Sequence, residues 1–418
     1  MVLDGPIRIT VTQTGQQSTL ARIIEMVKAA QREKPPVQKL ADKISAWFVP
    51  IVLVISLGTF LIEYFLLEFT VRDSVMNAIA VLVISCPCAM GLATPTAVMV
   101  GIGRAAKTGI LIRSGKVLEQ LNGIGAVVFD KTGTLTTGLF KAIEFSFVNE
   151  IEAAEIKSVT YSLEKHSSHP LAVSIAQLLS GSGNVEMHDV QEEKGVGISG
   201  KDAAGNLWSI GSWRISTDQF ANHDLYILRN KVLVATANLQ DEIKPGVQEV
   251  IDYLKSKKIR TILLSGDRQS KCDDVASKLG ITEVYGQQLP DEKLKRIEEL
   301  TSKITTVMVG DGINDAPSLA KATIGISLSD ASKAALHSAQ IIVPGATSLI
   351  HIKTALLIGT QSMRTIKQNL FWAFFYNVLA IPLAACGFLS PMVAALSMAF
   401  SDVIVIGNSL LLRTKKLE

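Results

Sequence analysis

Four apolar segments, near Trp47 to Leu67, Val75 to Val100, Leu370 to Leu389 and Met392 to Leu412, frame a long middle stretch of water-soluble pattern. A hydrocarbon core of about 30 Å needs roughly 20 helical residues, so the chain is predicted to fold as two membrane hairpins around a soluble body. At 48% hydrophobic the sequence is too apolar for an ordinary soluble protein, yet 41 Lys and Arg with 38 Asp and Glu exclude a chain made only of spans. The net charge of +3 gives no support for a nucleic-acid partner.

Basic residues set the expected orientation. The flanks "KAAQREKPPVQKLADK", "GRAAKTGILIRSGK", "SMRTIKQN" and "LLRTKKLE" are rich in Lys and Arg, whereas the tips "LEFTVRDS" and "CGFLSPM" share one Arg. The positive-inside rule then places both termini and the middle stretch in the cytoplasm of an integral, multi-pass membrane protein. Met1 to Gln16 is polar and has no signal-peptide apolar core. The four cysteines, Cys86, Cys88, Cys272 and Cys386, form no secreted framework, and residues two apart on a helix are poorly placed to bridge.

In the soluble part, "AVVFD", "RTILLSGD", "TTVMVGD" and "ATIGISL" read as buried parallel strands alternating with helices, the pattern of a doubly wound α/β domain. From about Gly138 to Gln240 the texture changes to a helix followed by Gly-rich strands, predicting an inserted second domain.

Ligands sit at the carboxyl ends of strands in such sheets. Asp130 in "FDKTGTLTTG" ends the first strand; alone it would be read as a turn cap. Ser265, Gly266 and Asp267 end a second strand, Asp311 and Asp315 a third, and Lys293 opens the helix between. A carboxylate nucleophile, a hydroxyl and a Lys for phosphoryl oxygens, and an acidic pair for Mg²⁺ form a phosphoryl-transfer set.

In the second span, Pro87 removes a backbone hydrogen bond between Cys86 and Cys88, opening the helix where two thiolates would hold a soft ion such as Cu(I). Two cysteines merely packed in a bundle leave that proline unexplained. The third span adds Tyr376 and Asn377, a polar pair that at this depth also suits interhelical hydrogen bonding, and the fourth adds Met398. Asp402 is a carboxylate within a span, suited to a harder ion or to carrying a proton, and Glu63 is expected near enough the outer end to reach water.

"DKTGT" with "GDGINDAP" resembles the phosphorylation domain of P-type ATPases, "SCPC" within a span resembles their heavy-metal branch, and the Tyr376-Asn377 pair with Met398, as further ligands of the ion, resembles its copper(I)-transporting members. The resemblance implies a haloacid-dehalogenase-like phosphorylation domain with an inserted α+β nucleotide-binding domain, using ATP and Mg²⁺. It implies that Asp130 is phosphorylated, that Asp311 and the Thr132 carbonyl bind Mg²⁺ with Asp315 in support, and that Lys293 and Ser265 steady the phosphoryl group. "SLEKHSSHPLA" and "KGVGIS" resemble the nucleotide signature, with Glu164 and His169 at adenine and Gly195 and Gly197 under the nucleotide; Asp267 joins the nucleotide-binding set. Gly211-Ser212 replaces the family's Gly-Asn, and Ser401-Asp402 stands where copper pumps carry two serines.

The domains so implied are an actuator remnant and linker (1–45), a hairpin with the Cys-Pro-Cys motif (46–105), the phosphorylation domain (106–137 and 241–350), the nucleotide domain (138–240) and a second hairpin with tail (351–418). The hydrolytic "TGE" loop lies upstream in the family, and "QTGQQ" lacks its acid. The expectation is therefore ATP-driven export of Cu(I) through an aspartyl phosphate, incomplete in this chain alone. Its implied partners are membrane lipid, the copper ion and a cytosolic copper chaperone. A non-transporting regulator, a Zn²⁺ or Cd²⁺ pump and a related phosphatase are the alternatives.

Overall fold

The computed structural model describes residues 35–148, 152–167, 170–193, 196–215, 223–311, 315–328, 337–344 and 348–417. The expected actuator remnant thus lies mostly outside the described residues. The chain divides into two compact units, Thr132–Lys244 and the remainder.

The first unit begins with α1 (Pro36–Phe65), α2 (Val71–Ile84) and α3 (Cys88–Lys107). Thr70 caps α2, its Oγ1 accepting the Asp73 N–H at 3.1 Å. Between α2 and α3 the backbone leaves the helix: Pro87 has no N–H to give Val83, whose carbonyl instead takes the Cys86 N–H at 3.4 Å. The strand β1 (Leu111–Ile112), the short α4 (Gly115–Gln120) and β2 (Ala126–Phe129) follow.

The second unit is a six-stranded antiparallel sheet. It contains β3 (Thr136–Phe147), then α5 (Ala153–Glu164) and α6 (Pro170–Leu178), then β4 (Met187–Glu193), β5 (Gly197–Asp202), β6 (Leu207–Gly211), β7 (Leu225–Arg229) and β8 (Val232–Ile243), in spatial order β3-β8-β7-β6-β5-β4. Leu163 of α5 and Ile175 of α6 bury against Trp208, Ile210 and Leu225 of the sheet. The Trp208 indole N–H is satisfied by Asp202 Oδ2 at 2.9 Å, which lets so large a side chain be fully buried.

The chain then returns to the first unit through α7 (Val247–Ser256), β9 (Arg260–Leu264), α8 (Gln269–Leu279), β10 (Glu283–Tyr285), α9 (Pro290–Thr301), β11 (Thr306–Gly310), α10 (Ala316–Lys321), β12 (Ile324–Leu328) and β13 (Ile341–Val343). The seven strands run β1-β13-β12-β11-β2-β9-β10, parallel except for β1 against β13. Every residue of β2, β11 and β12 is buried, as strands covered on both faces must be.

Two long helices close the chain, α11 (Ile350–Ala385) and α12 (Pro391–Leu411). At 36 residues α11 is about 54 Å long, more than a bilayer core requires. Its first turns belong to the soluble part, where Lys353 pairs with Glu249 of α7 at 2.7 Å; its second half packs against α2, α3 and α12. Among the described residues, Pro36–Phe65, Val71–Lys107 and Pro391–Leu411 are long and apolar enough to cross a membrane. The expected span on α11 is not among these, because Gln368, Asn369, Tyr376 and Asn377 dilute its apolar half.

Candidate active site and membrane site

The strand order decides which carboxylates meet. Because β2 lies between β11 and β9, with Phe129 opposite both Val309 and Leu263, the next residues of the three strands emerge together at one sheet edge. There Lys293 Nζ lies 2.5 Å from Asp130 Oδ1 and 2.9 Å from Asp315 Oδ1, all three side chains nearly excluded from water. Lys293 reaches inward from the first turn of α9, whose start is fixed by Pro290 and by Glu292 accepting the Leu289 N–H at 2.8 Å. Gly310 makes room for Asp315: a Cβ at that position would stand 3.0 Å from the Asp315 Cβ.

One oxygen from each of Asp130, Asp311 and Asp315 lies within 4.8 Å of the others. Such an all-oxygen set suits Mg²⁺, which needs few protein ligands. Burial pushes the Asp130 carboxyl up to about 7, helped by the neighbouring Asp315 and opposed by Lys293. For Lys293 burial acts against its charge, but the two carboxylates outweigh it and its pKa is raised. The cluster is therefore a mutually dependent group, and a cation added beside it would favour the ionised Asp130.

On the other side of β2, Ser265 is buried and its Oγ accepts the Asp267 N–H at 3.2 Å, while Asp267 pairs with the buried Lys131 at 2.7 Å. That ion pair was not read from the sequence, although "DK" beside a later "GD" carries its two members. Burial pushes the nearby Cys272 thiol up to about 11, which keeps it neutral. Thr132 follows in the chain as the first residue of the second unit. In that unit Lys244 donates to the Gly133 carbonyl at 2.6 Å and holds the turn, where Gly133 has a φ of 73°. Sequence reasoning missed Lys244, whose signal was a lysine ending the long strand β8.

The second unit also holds a cavity of about 230 Å³ lined by Glu164, Ser167, Leu171, Gly197, Ile210 and Ser212 among others. Glu164 is buried at its floor. His169 and Gly195 lie outside the described residues. Gly197 lines the cavity, and the sheet itself also requires that it have no side chain. It faces Gly211 across β5 and β6, and a Cβ would stand 2.7 Å from the Gly211 Cα.

In the membrane helices, the expectation that Cys86 and Cys88 are too poorly placed to bridge is corrected. They are joined as a disulfide with their Cα atoms 5.4 Å apart, which the non-helical backbone at Pro87 permits. Thiolate ligation requires the reduced pair. Two apolar clusters bracket this motif: Ile84, Ala380 and Ala394 on one side, Ala89, Ala373 and Val405 on the other. The register therefore sets Tyr376, Asn377, Met398 and Asp402 at the same level of the bundle as the cysteines. Asn377 is buried, and Asp402 Oδ1 is buried with no hydrogen-bond partner among the described residues.

Glu63 does not reach water. It is 3% exposed and its Oε1 accepts from the Asn77 amide at 2.9 Å. Interhelical hydrogen bonding, considered for the Tyr-Asn pair, is found at Asn369. Its amide donates to the Ala93 carbonyl at 3.2 Å and to Ser409 Oγ at 2.8 Å, while Asn408 donates to its Oδ1 at 2.8 Å.

Comparison with known proteins agrees with this geometry. The haloacid dehalogenase-like hydrolase family matches residues 124–323. The copper-exporting P-type ATPase of Staphylococcus haemolyticus is 38% identical over 100% of this chain and 54% of its own length. Over its whole length the chain is similar to P-type ATPases. The probable copper-importing P-type ATPase A of Enterococcus hirae is 37% identical over 99% of the chain and 59% of its own length. A zinc-transporting PIB-type ATPase in its E2.Pi state superposes with a TM-score of 0.78 at 26% identity, covering 96% of this chain and 68% of that one. The chain thus spans about half the length of the curated relatives it matches.

Proposed function

We propose that the chain carries the phosphorylation machinery and the ion-binding helices of an ATP-driven Cu(I) translocase. The observation that carries this reading is Asp130 at the end of the central strand, 2.5 Å from Lys293 and grouped with Asp311 and Asp315. An ionised Asp130 oxygen bonds to the γ-phosphorus of ATP as the bond to ADP breaks, leaving an aspartyl phosphate. Lys293 and the Ser265 hydroxyl face the transferred oxygens, and Asp311 and Asp315 would hold Mg²⁺, which when bound would supply positive charge opposite the phosphoryl group. The second unit contributes the nucleotide, its base in the cavity floored by Glu164.

In the membrane, the reduced Cys86 and Cys88 with Met398, Tyr376 and Asn377 form a soft site suited to Cu(I). Both termini face the cytoplasm, where a copper chaperone delivers the ion, and the direction is export. A second reading, Zn²⁺, is favoured by the unpartnered Asp402 Oδ1 at the same level and by the likeness to a zinc-transporting ATPase.

The test is phosphorylation by γ-labelled ATP with Mg²⁺ and Cu(I). The expected product is an acid-stable, hydroxylamine-sensitive label that Asp130→Asn abolishes. Label that survives Asp130→Asn, or none in a folded chain that binds ATP, overturns the assignment.

A further inference from the structure

The cavity of the second unit is acidic. Glu164 ends α5 and is 5% exposed, while Glu192 and Glu193 stand on β4, exposed at the mouth. Asp224, just before β7, is engaged with the backbone, its Oδ2 accepting the Leu239 N–H at 2.8 Å. Among the described residues these four are the charged groups lining the cavity. Ser167, three residues beyond Glu164, donates to Glu192 Oε1 at 2.6 Å and so holds that carboxylate over the same space.

We propose that Glu192, held by Ser167 beside the buried Glu164, is a specificity-determining residue: its charge keeps the Glu164 carboxyl protonated, and that protonated carboxyl selects adenine over guanine nucleotides. This rests on the reading of the cavity as the nucleotide site. A protonated carboxyl offers a donor and an acceptor side by side. The adenine edge is its complement, N1 accepting and the 6-amino group donating. An ionised carboxylate offers two acceptors and instead matches the N1–H and 2-amino group of guanine. Burial, with the Glu192 charge adding to it, pushes the Glu164 carboxyl up to about 7, which places the exchange between these states at neutral pH. The apolar walls, Leu171 and Ile210 among them, accept the flat face of either base, so discrimination falls to the edge.

Equilibrium binding of ATP and of GTP to the detergent-solubilised chain, without Mg²⁺, between pH 6 and pH 8 tests this. The two nucleotides share a triphosphate, so the ratio of their affinities cancels its titration. The adenine preference is expected to fall about tenfold over that range, following the protonated fraction. Glu192→Gln removes the charge that supports protonation, so at pH 7 the preference should already have fallen severalfold. Glu164→Gln, with a fixed donor and acceptor, should keep the preference at every pH. A purely structural role for Glu192 would weaken both nucleotides equally. A wild-type ratio that ignores pH, or one that Glu192→Gln leaves unchanged, overturns the proposal. Leu171→Trp fills the cavity and separates the two readings. If ATP binding survives it, the cavity is not the nucleotide site and both readings fall; if binding is lost while the ratio ignores pH, only the present one does.

Discussion

The sheet edge and the membrane level around Cys86 both gather polar groups in a water-poor setting, but they balance them differently. At the sheet edge each buried charge has an opposite charge within hydrogen-bond distance: Lys293 sits between Asp130 and Asp315, and Lys131 holds Asp267. In the membrane helices the two cysteines are closed on each other, and one oxygen each of Glu63 and Asp402 is buried with no partner among the described residues. The first site is a self-neutralising group that must exchange its internal ion pair for a phosphoryl group and a cation. The second holds donor capacity that the protein itself does not use.

If that contrast is right, the largest effect of a single change is at the sheet edge. Lys293→Met leaves Asp130 and Asp315 facing one another with no cation, and breaking a buried pair by removing one partner costs about 3–5 kcal/mol. Denaturant unfolding should register that loss at neutral pH, and phosphorylation at Asp130 should drop by two orders of magnitude or more. Full stability in Lys293→Met would show that the pair is not balanced as described.

The membrane level should respond through its ligand, with a smaller change. In the reduced chain, Cys86→Ser is expected to weaken Cu(I) binding at least about a hundredfold, read by competition with a Cu(I) chelator, while leaving unfolding nearly unchanged. Asp402→Ser should leave Cu(I) binding in place and remove any Zn²⁺ binding. Zn²⁺ binding that survives Asp402→Ser but not Cys86→Ser would assign zinc to the thiolates and favour the second reading.

How far the sequence disclosed these sites follows from how each is built. The α/β domain and the placement of Asp130, Ser265 and Asp311 were legible because buried parallel strands are continuous apolar runs, each followed directly by its polar residue. The Gly197–Gly211 contact was not, since strand register pairs residues that no local pattern connects. The same holds for Lys244, Asn369 and the Glu63–Asn77 bond, each joining residues of different elements. The Cys86–Cys88 bridge was misjudged because helical spacing was assumed at a point where Pro87 had already ended the helix.

The smallest expected effect concerns Glu63 and Asn77, and it sharpens the contrast most finely. The Asn77 amide is the described partner of one Glu63 oxygen, while the other is buried and unmatched. Asn77→Ala should therefore cost about 1–3 kcal/mol, the penalty for stripping a buried polar group of its bond. Thermal unfolding in detergent would read it as a lowered midpoint. Glu63→Gln should cost little, because its carbonyl keeps the Asn77 bond. Replacing both residues by Leu should recover much of the loss, since no buried polar group is then left unpaired. If Asn77→Ala is as stable as the wild type, water reaches Glu63. The membrane helices would then hold one unsatisfied carboxylate rather than two, at Asp402 beside the cysteines.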